Sequence, residues 1–123
     1  MISFIVEGNP IPKARPRVRI TASGAHAYTP QRTKRWERQV ALVARQAMKG
    51  RPPLEGPLAI RLRFYRRDRR RADGDNLEKA IDDPLNGIVW LDDSQVVECH
   101  RYLGVDRGRP RVEVEVWEVE EGE

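Results

Sequence analysis

The tightest constraint in this sequence is a period of two. In Leu58-Ala59-Ile60-Arg61-Leu62-Arg63-Phe64-Tyr65, Leu58, Ile60, Leu62 and Phe64 fall on one side and Arg61 and Arg63 on the other. The stretch from Arg111 to Val119 repeats the pattern, with Val112, Val114 and Val116 set against Arg111, Glu113 and Glu115. Successive side chains on a strand point to opposite faces, so both stretches predict strands with one buried face. Ile2-Ser3-Phe4-Ile5-Val6 and the run from Val96 to Leu103 predict two more.

Two helices complete the list. Thr29-Pro30 predicts a start, with Thr29 as cap and Pro30 in the first helical position, and Gly50 closes the element. Trp36, Val40, Val43 and Ala47 recur at helical spacing and predict its buried stripe. A second helix is expected from about Asp75 to Gly87, bent or ended by Pro84. The order is strand, loop or hairpin, helix, strand, helix, strand, strand. That predicts an α+β fold in a single small domain over residues 1–123, a mixed β-sheet with two main helices packed on it. Such a sheet leaves a face or an edge open, which a dimer would cover.

Charge is divided unevenly. Residues 1–71 hold 18 of the 23 lysines and arginines and 4 of the 19 acids, a charge of +14. Residues 72–123 hold 5 and 15, a charge of −10, and the two halves sum to the net +4. The split predicts a basic surface for a polyanion and a separate acidic site. Only 4 of the basic residues are lysine, and arginine forks match phosphate oxygens in pairs. A plain bias toward arginine would give the same count.

The basic surface has two parts. In the stretch from Ile11 to Ile20, prolines at 12 and 16 forbid a regular ladder, while Lys13, Arg15, Arg17 and Arg19 line up at a period of two. Ser23-Gly24 predicts the turn of a short hairpin reaching His26-Ala27-Tyr28. The second part is Arg66, Arg67, Arg69, Arg70 and Arg71, too charged to pack and expected to form a mobile loop. Cys99 stands alone, so no internal disulfide framework is possible, which fits a reducing cytoplasm. No long apolar run exists, so neither a spanning helix nor a signal peptide is expected.

The chemistry concentrates between Asp73 and Asp93. On a helix starting at Asp75, a rotation of about 100° per residue puts Asp75, Lys79, Asp82 and Asp83 on one face. Leu77, Ile81, Leu85 and Ile88 form the docking face. Clustered carboxylates repel one another unless a cation lies among them. Asp73 and Asp75 can aim at one point, and Asp92 and Asp93, in a turn before a strand, can close the site. Hard oxygen ligands select magnesium, manganese or calcium. His26 and His100 are poor evidence for zinc, and His100 reads as a strand residue with a satisfied ring.

Plainer roles exist for each residue. Asp75 serves as a helix cap, Asp73 as a turn residue, Asp75 with Lys79 as a helix pair, and Asp92-Asp93 as a solvated turn. Their concurrence after an arginine-rich loop favours a site. Known alternatives fail on residue 77: an EF-hand needs an oxygen ligand there, and a restriction-nuclease site needs an acid, but the residue is Leu. No glycine-rich phosphate loop is present. An Asp-x-Asp sugar-nucleotide site is conceivable, but 123 residues is short for a donor and an acceptor domain.

The central segment resembles the RusA family of Holliday junction resolvases, the crossover junction endodeoxyribonucleases. The matching residues are Asp73-Gly74-Asp75-Asn76-Leu77-Glu78-Lys79-Ala80, then Asp83-Pro84-Leu85-Asn86-Gly87, then Trp90-Leu91-Asp92-Asp93-Ser94-Gln95-Val96-Val97. The opening Gly8-Asn9-Pro10-Ile11-Pro12-Lys13-Ala14-Arg15-Pro16-Arg17, with Tyr28-Thr29-Pro30, is similar too, so the resemblance spans nearly the whole chain.

The resemblance implies a RusA-like, homodimeric, Mg²⁺-dependent endonuclease, with Mn²⁺ as a substitute, that makes paired nicks in branched, four-way DNA during recombination and repair. It carries the metal-binding role onto Asp73, Asp75 and Asp93 and the essential lysine onto Lys79. Those four are the expected catalytic residues. Asp83, Asp92 and Asn76 rank lower. DNA contacts are expected from Lys13, Arg15, Arg17, Arg19, Arg66, Arg67, Arg69, Arg70 and Arg71. Tyr28 and Trp90 are candidate wedges at the crossover, although packing is the plainer role. The competing expectation is a non-catalytic, architectural DNA-binding dimer with a structural acidic cluster.

Overall fold

The alternation at 58–65 and 111–119 builds the centre of the molecule. In a computed structural model, which describes residues 1–14 and 17–120, β4 (Leu58–Arg66) and β6 (Arg111–Glu118) pair antiparallel. β1 (Ile2–Glu7) joins the far side of β6, antiparallel, and β5 (Val96–Val105) joins the far side of β4, parallel. The sheet is therefore mixed, in the order β1-β6-β4-β5. The α+β expectation holds.

Two helices lie on one face. α1 (Gln31–Met48) packs on β1 and on α2 (Gly74–Leu85), and α2 is the crossover that makes β4 and β5 parallel. Between them runs one apolar core: Ile2, Phe4 and Val6, Leu58 to Phe64, and Val112 to Val116 below, with helix residues above. A separate hairpin, β2 (Arg17–Thr21) with β3 (Gly24–Tyr28), stands off this body. Among the described residues no helix is long and apolar enough to cross a membrane.

Some boundaries differ from the sequence expectations. Pro30, not Thr29, occupies the cap position of α1, and no side chain caps it. The buried stripe of α1 is Thr33, Trp36, Val40, Ala44 and Met48. Val43 and Ala47 flank it, half-buried. The stripe is turned because α1 must meet α2 as well as the sheet. The chain leaves α1 through left-handed Lys49 and Gly50 (φ 52° and 78°), the conformation for which Gly50 is suited. Pro84 lies inside the last turn of α2, so the helix ends one residue beyond it.

The open face of the sheet is charge-balanced. Arg61 and Arg63 reach across to Glu113 and Glu115 at 3.6–3.9 Å. Trp117 stacks on His100 and lies beneath Arg61. These arginines are neutralised within the sheet and do not add to the basic surface.

Candidate active site

The site is built on the first turns of α2. Asp73 is the helix cap: its Oδ1 accepts from the backbone N–H groups of Asp75 (2.9 Å) and Asn76 (3.4 Å). This satisfies N–H groups that have no partner within the helix. Asp75 follows in the first turn, where the helix dipole favours negative charge. Its side chain is 89% exposed, and its Oδ1 accepts from Arg101 Nη1 at 3.0 Å.

Arg101 comes from β5, as does Cys99. Arg101 Nη1 also meets Glu78 Oε1 at 3.3 Å, and Cys99 Sγ donates to the same oxygen at 3.4 Å. One helical turn on, Asp82 turns into the same seam between α2 and β5. Its Oδ1 is buried without a hydrogen-bond partner. Burial, then the charges of Glu78, Asp93 and Asp83, push its carboxyl up to about 7. Burial and Glu78, with Asp82 behind them, push the Cys99 thiol up to about 12.

Asp93 approaches from a separate element. It opens a single 3₁₀ turn, Asp93–Gln95, anchored by Gln95. Gln95 Oε1 accepts from the backbone of Leu91 and Asp92, and its Nε2 donates to the carbonyls of Leu54 and Gly56. Asp92 is occupied by the turn: Ser94 Oγ donates to its Oδ2 at 2.6 Å and holds its carboxyl below the usual range. Asp93 bears on Asp82 by charge.

The face expected from the helical wheel is thus divided. Glu78 and Asp82 look toward β5, and Asp75 reaches the same side. Asp83 looks the other way, where Lys13 Nζ lies 3.3 Å from its Oδ2 and 2.5 Å from Glu37 Oε1. Asn76 is on that side too, its carbonyl accepting from the Lys13 backbone at 2.8 Å. Lys79 is exposed between the two sides and forms no ion pair among the described residues. Sequence reasoning passes over Glu78 and Arg101 and leaves Asp82 out of the site. The signals that could find them are modest. Asp75, Glu78 and Asp82 fall within about 60° of one another on a helical wheel. Arg101 is the only lysine or arginine between Lys79 and Arg107.

The basic residues surround a cleft that ends at Asp73. Arg17, Arg32 and Arg71 line about 350 Å³ of it together with Asp73 and Asn76. Arg66, Arg67, Arg70 and Arg71, with Asp68, line an adjoining groove. The loop expected to be mobile is pinned: the Arg67 N–H donates to Asn9, and the Arg70 N–H to Asp68. Arg66 Nη1 donates to the Arg70 carbonyl at 2.6 Å, while Arg69 is exposed and unpaired among the described residues. Arg19 lies over the ring of Tyr28 at 4.8 Å. Lys13 is a strut between helices instead of a free cation, and Arg15 lies outside the described residues. Trp90 is fully buried and donates to Asn86, so it is a packing residue.

The family model described as Endodeoxyribonuclease RusA matches residues 7–117. The chain belongs to the RusA family. As a RusA-family protein it is an endodeoxyribonuclease. A Bacillus subtilis (strain 168) relative named Uncharacterized protein YqaN is 33% identical over 141 aligned positions, 96% of this chain and 96% of that one. The Crossover junction endodeoxyribonuclease RusA of Escherichia coli (strain K12) and that of Enterobacteria phage 82 are each 51% identical over 43 residues, 34% of this chain and 36% of theirs.

RusA-type nucleases generally work with a divalent metal ion. The residues here fit one chemically. Every candidate donor is a hard carboxylate oxygen, one of them buried without a partner, and the carboxyls of the seam raise one another's affinity for protons. Among the described residues no three His, Cys, Asp or Glu side chains form a ready-made cage. Asp73 is engaged in its cap and Asp75 with Arg101.

Proposed function

We propose that this chain is a structure-specific endonuclease that resolves four-way DNA junctions by paired nicks, as a homodimer in the cytoplasm, with Mg²⁺ or in its place Mn²⁺. The observation that carries the reading is the junction of two surfaces: an arginine-lined cleft ends at Asp73, the cap of the helix bearing the acidic seam. The names of the Escherichia coli and phage 82 relatives support it.

Asp73, Asp75 and Asp93 would hold the ion, with Glu78 and Asp82 beside them. Such an ion, when bound, lowers the pKa of water and neutralises charge growing on the phosphate. Lys79, exposed one turn beyond Asp75, is free to donate to a non-bridging phosphate oxygen. Arg17, Arg69, Arg70 and Arg71 hold the sugar–phosphate strands, which gives affinity without sequence preference. Selectivity for branched DNA then rests on shape, because two such clefts in one dimer suit two strands that diverge. A purely architectural role leaves the half-buried carboxyl of Asp82, whose Oδ1 has no hydrogen-bond partner among the described residues, without a use.

The test is cleavage of a four-way junction, a linear duplex and a flap, each with and without Mg²⁺, and with Asp75→Asn as control. Paired symmetric nicks on the junction alone, lost in Asp75→Asn while binding remains, are expected. Equal cutting of the linear duplex, or full activity in the variant, would sink the reading.

A further inference from the structure

The cation now facing Asp75 is a guanidinium. Arg101 Nη1 serves two carboxylates at once, Asp75 at 3.0 Å and Glu78 at 3.3 Å. The rest of the fork lies against Gly74. A Cβ on residue 74 would fall 2.7 Å from Arg101 Cζ, 2.9 Å from Nη2 and 3.0 Å from Nε. Gly74 has no positive φ, so its backbone conformation does not require glycine. What glycine provides is the space that the guanidinium fills.

We propose that Arg101 is the resident counter-cation of this site, displaced from Asp75 and Glu78 when a divalent ion enters and thereby freed to meet the DNA phosphate. The proposal rests on the metal reading of Asp75 given above. Two cations compete for one carboxylate oxygen, since each would be repelled by the other at ligand distance. The guanidinium keeps Asp75 and Glu78 compatible without the ion, which is why the seam is not a preformed cage. Once released, its five donors in a planar fork match a phosphate better than any other group on β5. Binding of the ion and exposure of a phosphate-binding arginine are then the same event, and linkage makes each promote the other.

The test reads ion binding apart from cutting. Mg²⁺ is titrated calorimetrically into the full chain without DNA, and Mn²⁺ is followed in parallel by water-proton relaxation. Arg101→Gln removes the competitor, so it should bind either ion about two- to fivefold more tightly than wild type, the range expected for losing an exposed ion pair. Gly74→Ala pushes the guanidinium off without removing its charge. It should also tighten binding, which keeps the test alive if Arg101→Gln fails to fold. At saturating Mg²⁺, Arg101→Gln should lose nicking rate while Gly74→Ala retains it. Unchanged or weaker ion binding in both variants overturns the displacement proposal while leaving the metal reading intact. No ion binding by wild type overturns both.

Discussion

Lys13 and Asp83, seventy residues apart in sequence, stand 3.3 Å from each other across the side of α2 that faces away from β5. Glu37 on α1 completes the group, so one ammonium ties the N-terminal strap to both helices. Its side chain is only 23% exposed, so the link is worth more than a surface pair. Lys13→Ala should cost about 1–2 kcal/mol by urea unfolding, within the range for partly buried charged hydrogen bonds. It should leave the salt dependence of DNA binding unchanged. Replacing Arg69, Arg70 and Arg71 together with Ala should do the reverse, lowering the log–log salt slope by about 0.9 for each phosphate no longer neutralised. Equal slopes for these two variants would show that the arginine loop is merely solvated.

Asp92 and Asp93 are neighbours with different work. Asp92 is bound into its turn by Ser94, whereas Asp93 lies close enough to Asp82 to affect its proton affinity. Asp93→Asn should abolish nicking and keep the fold. Asp92→Asn should cut normally and unfold slightly earlier, because an amide oxygen accepts from Ser94 more weakly than a carboxylate. Junction nicking and thermal unfolding measured on both variants decide between them; swapped outcomes would reassign the metal ligand.

Lys79 has no ion-pair partner to lose among the described residues. Its replacement by Ala should leave thermal stability and junction affinity near wild type and lower the nicking rate by about 10²–10³-fold, as for other lost transition-state donors. A wild-type rate in single-turnover assays would reduce Lys79 to a solvated helix residue.

Asp82 predicts a pH dependence. Burial first, then Glu78, Asp93 and Asp83, push its carboxyl up to about 7, whereas the unfolded chain titrates near 3.8. Between those values the folded protein keeps a proton that the unfolded chain has released, so stability falls as pH rises. The contribution is full below the lower value and gone above the upper one. In chelated buffer, Asp82→Asn should flatten this fall and raise the urea midpoint at about pH 8. A wild-type profile rising through that window would contradict the assignment.

Cys99 is a built-in reporter of the seam. Burial and Glu78 push its thiol up to about 12, so at neutral pH the nucleophilic thiolate is scarce. Iodoacetamide should react far more slowly than with an ordinary cysteine titrating near about 8.5. Glu78→Gln should speed the reaction, and so should Mg²⁺ in the wild type, since either removes negative charge facing the sulfur. Mass spectrometry of alkylation time courses reads this directly; a fast, Mg²⁺-insensitive reaction would separate Cys99 from the site.

The sheet was legible because alternation states both an element and its buried face. Leu58, Ile60, Leu62 and Phe64 are all fully buried, as the period of two requires. The second helix was legible for the same kind of reason. The site was harder to read. A helical wheel groups Asp75, Lys79, Asp82 and Asp83, yet it does not say which neighbour each will meet. The parallel placement of β5 turned Glu78 and Asp82 toward Arg101 and Cys99, and the N-terminal strap drew Asp83 to Lys13. Both are long-range facts that no local spacing contains. Likewise, Lys13 belongs to a basic run in sequence, but the acids of two helices claim it first.

The β2–β3 hairpin has a consequence of another kind. Nine of its ten strand residues are exposed, with Arg17, Arg19, His26 and Tyr28 on one face and Val18, Ile20, Ala25 and Ala27 on the other. Two strands with no cover are marginal in water. Holding them together therefore draws on whatever surface they meet, and the gain is greatest where both faces are met together. A straight duplex presents one flank to such an arm, while the recess between two diverging duplexes presents two. On the proposed junction-resolving reading, this hairpin would be held together more firmly in the recess of a branched DNA than along a straight one, so its ordering would favour the bent substrate before any bond is cut.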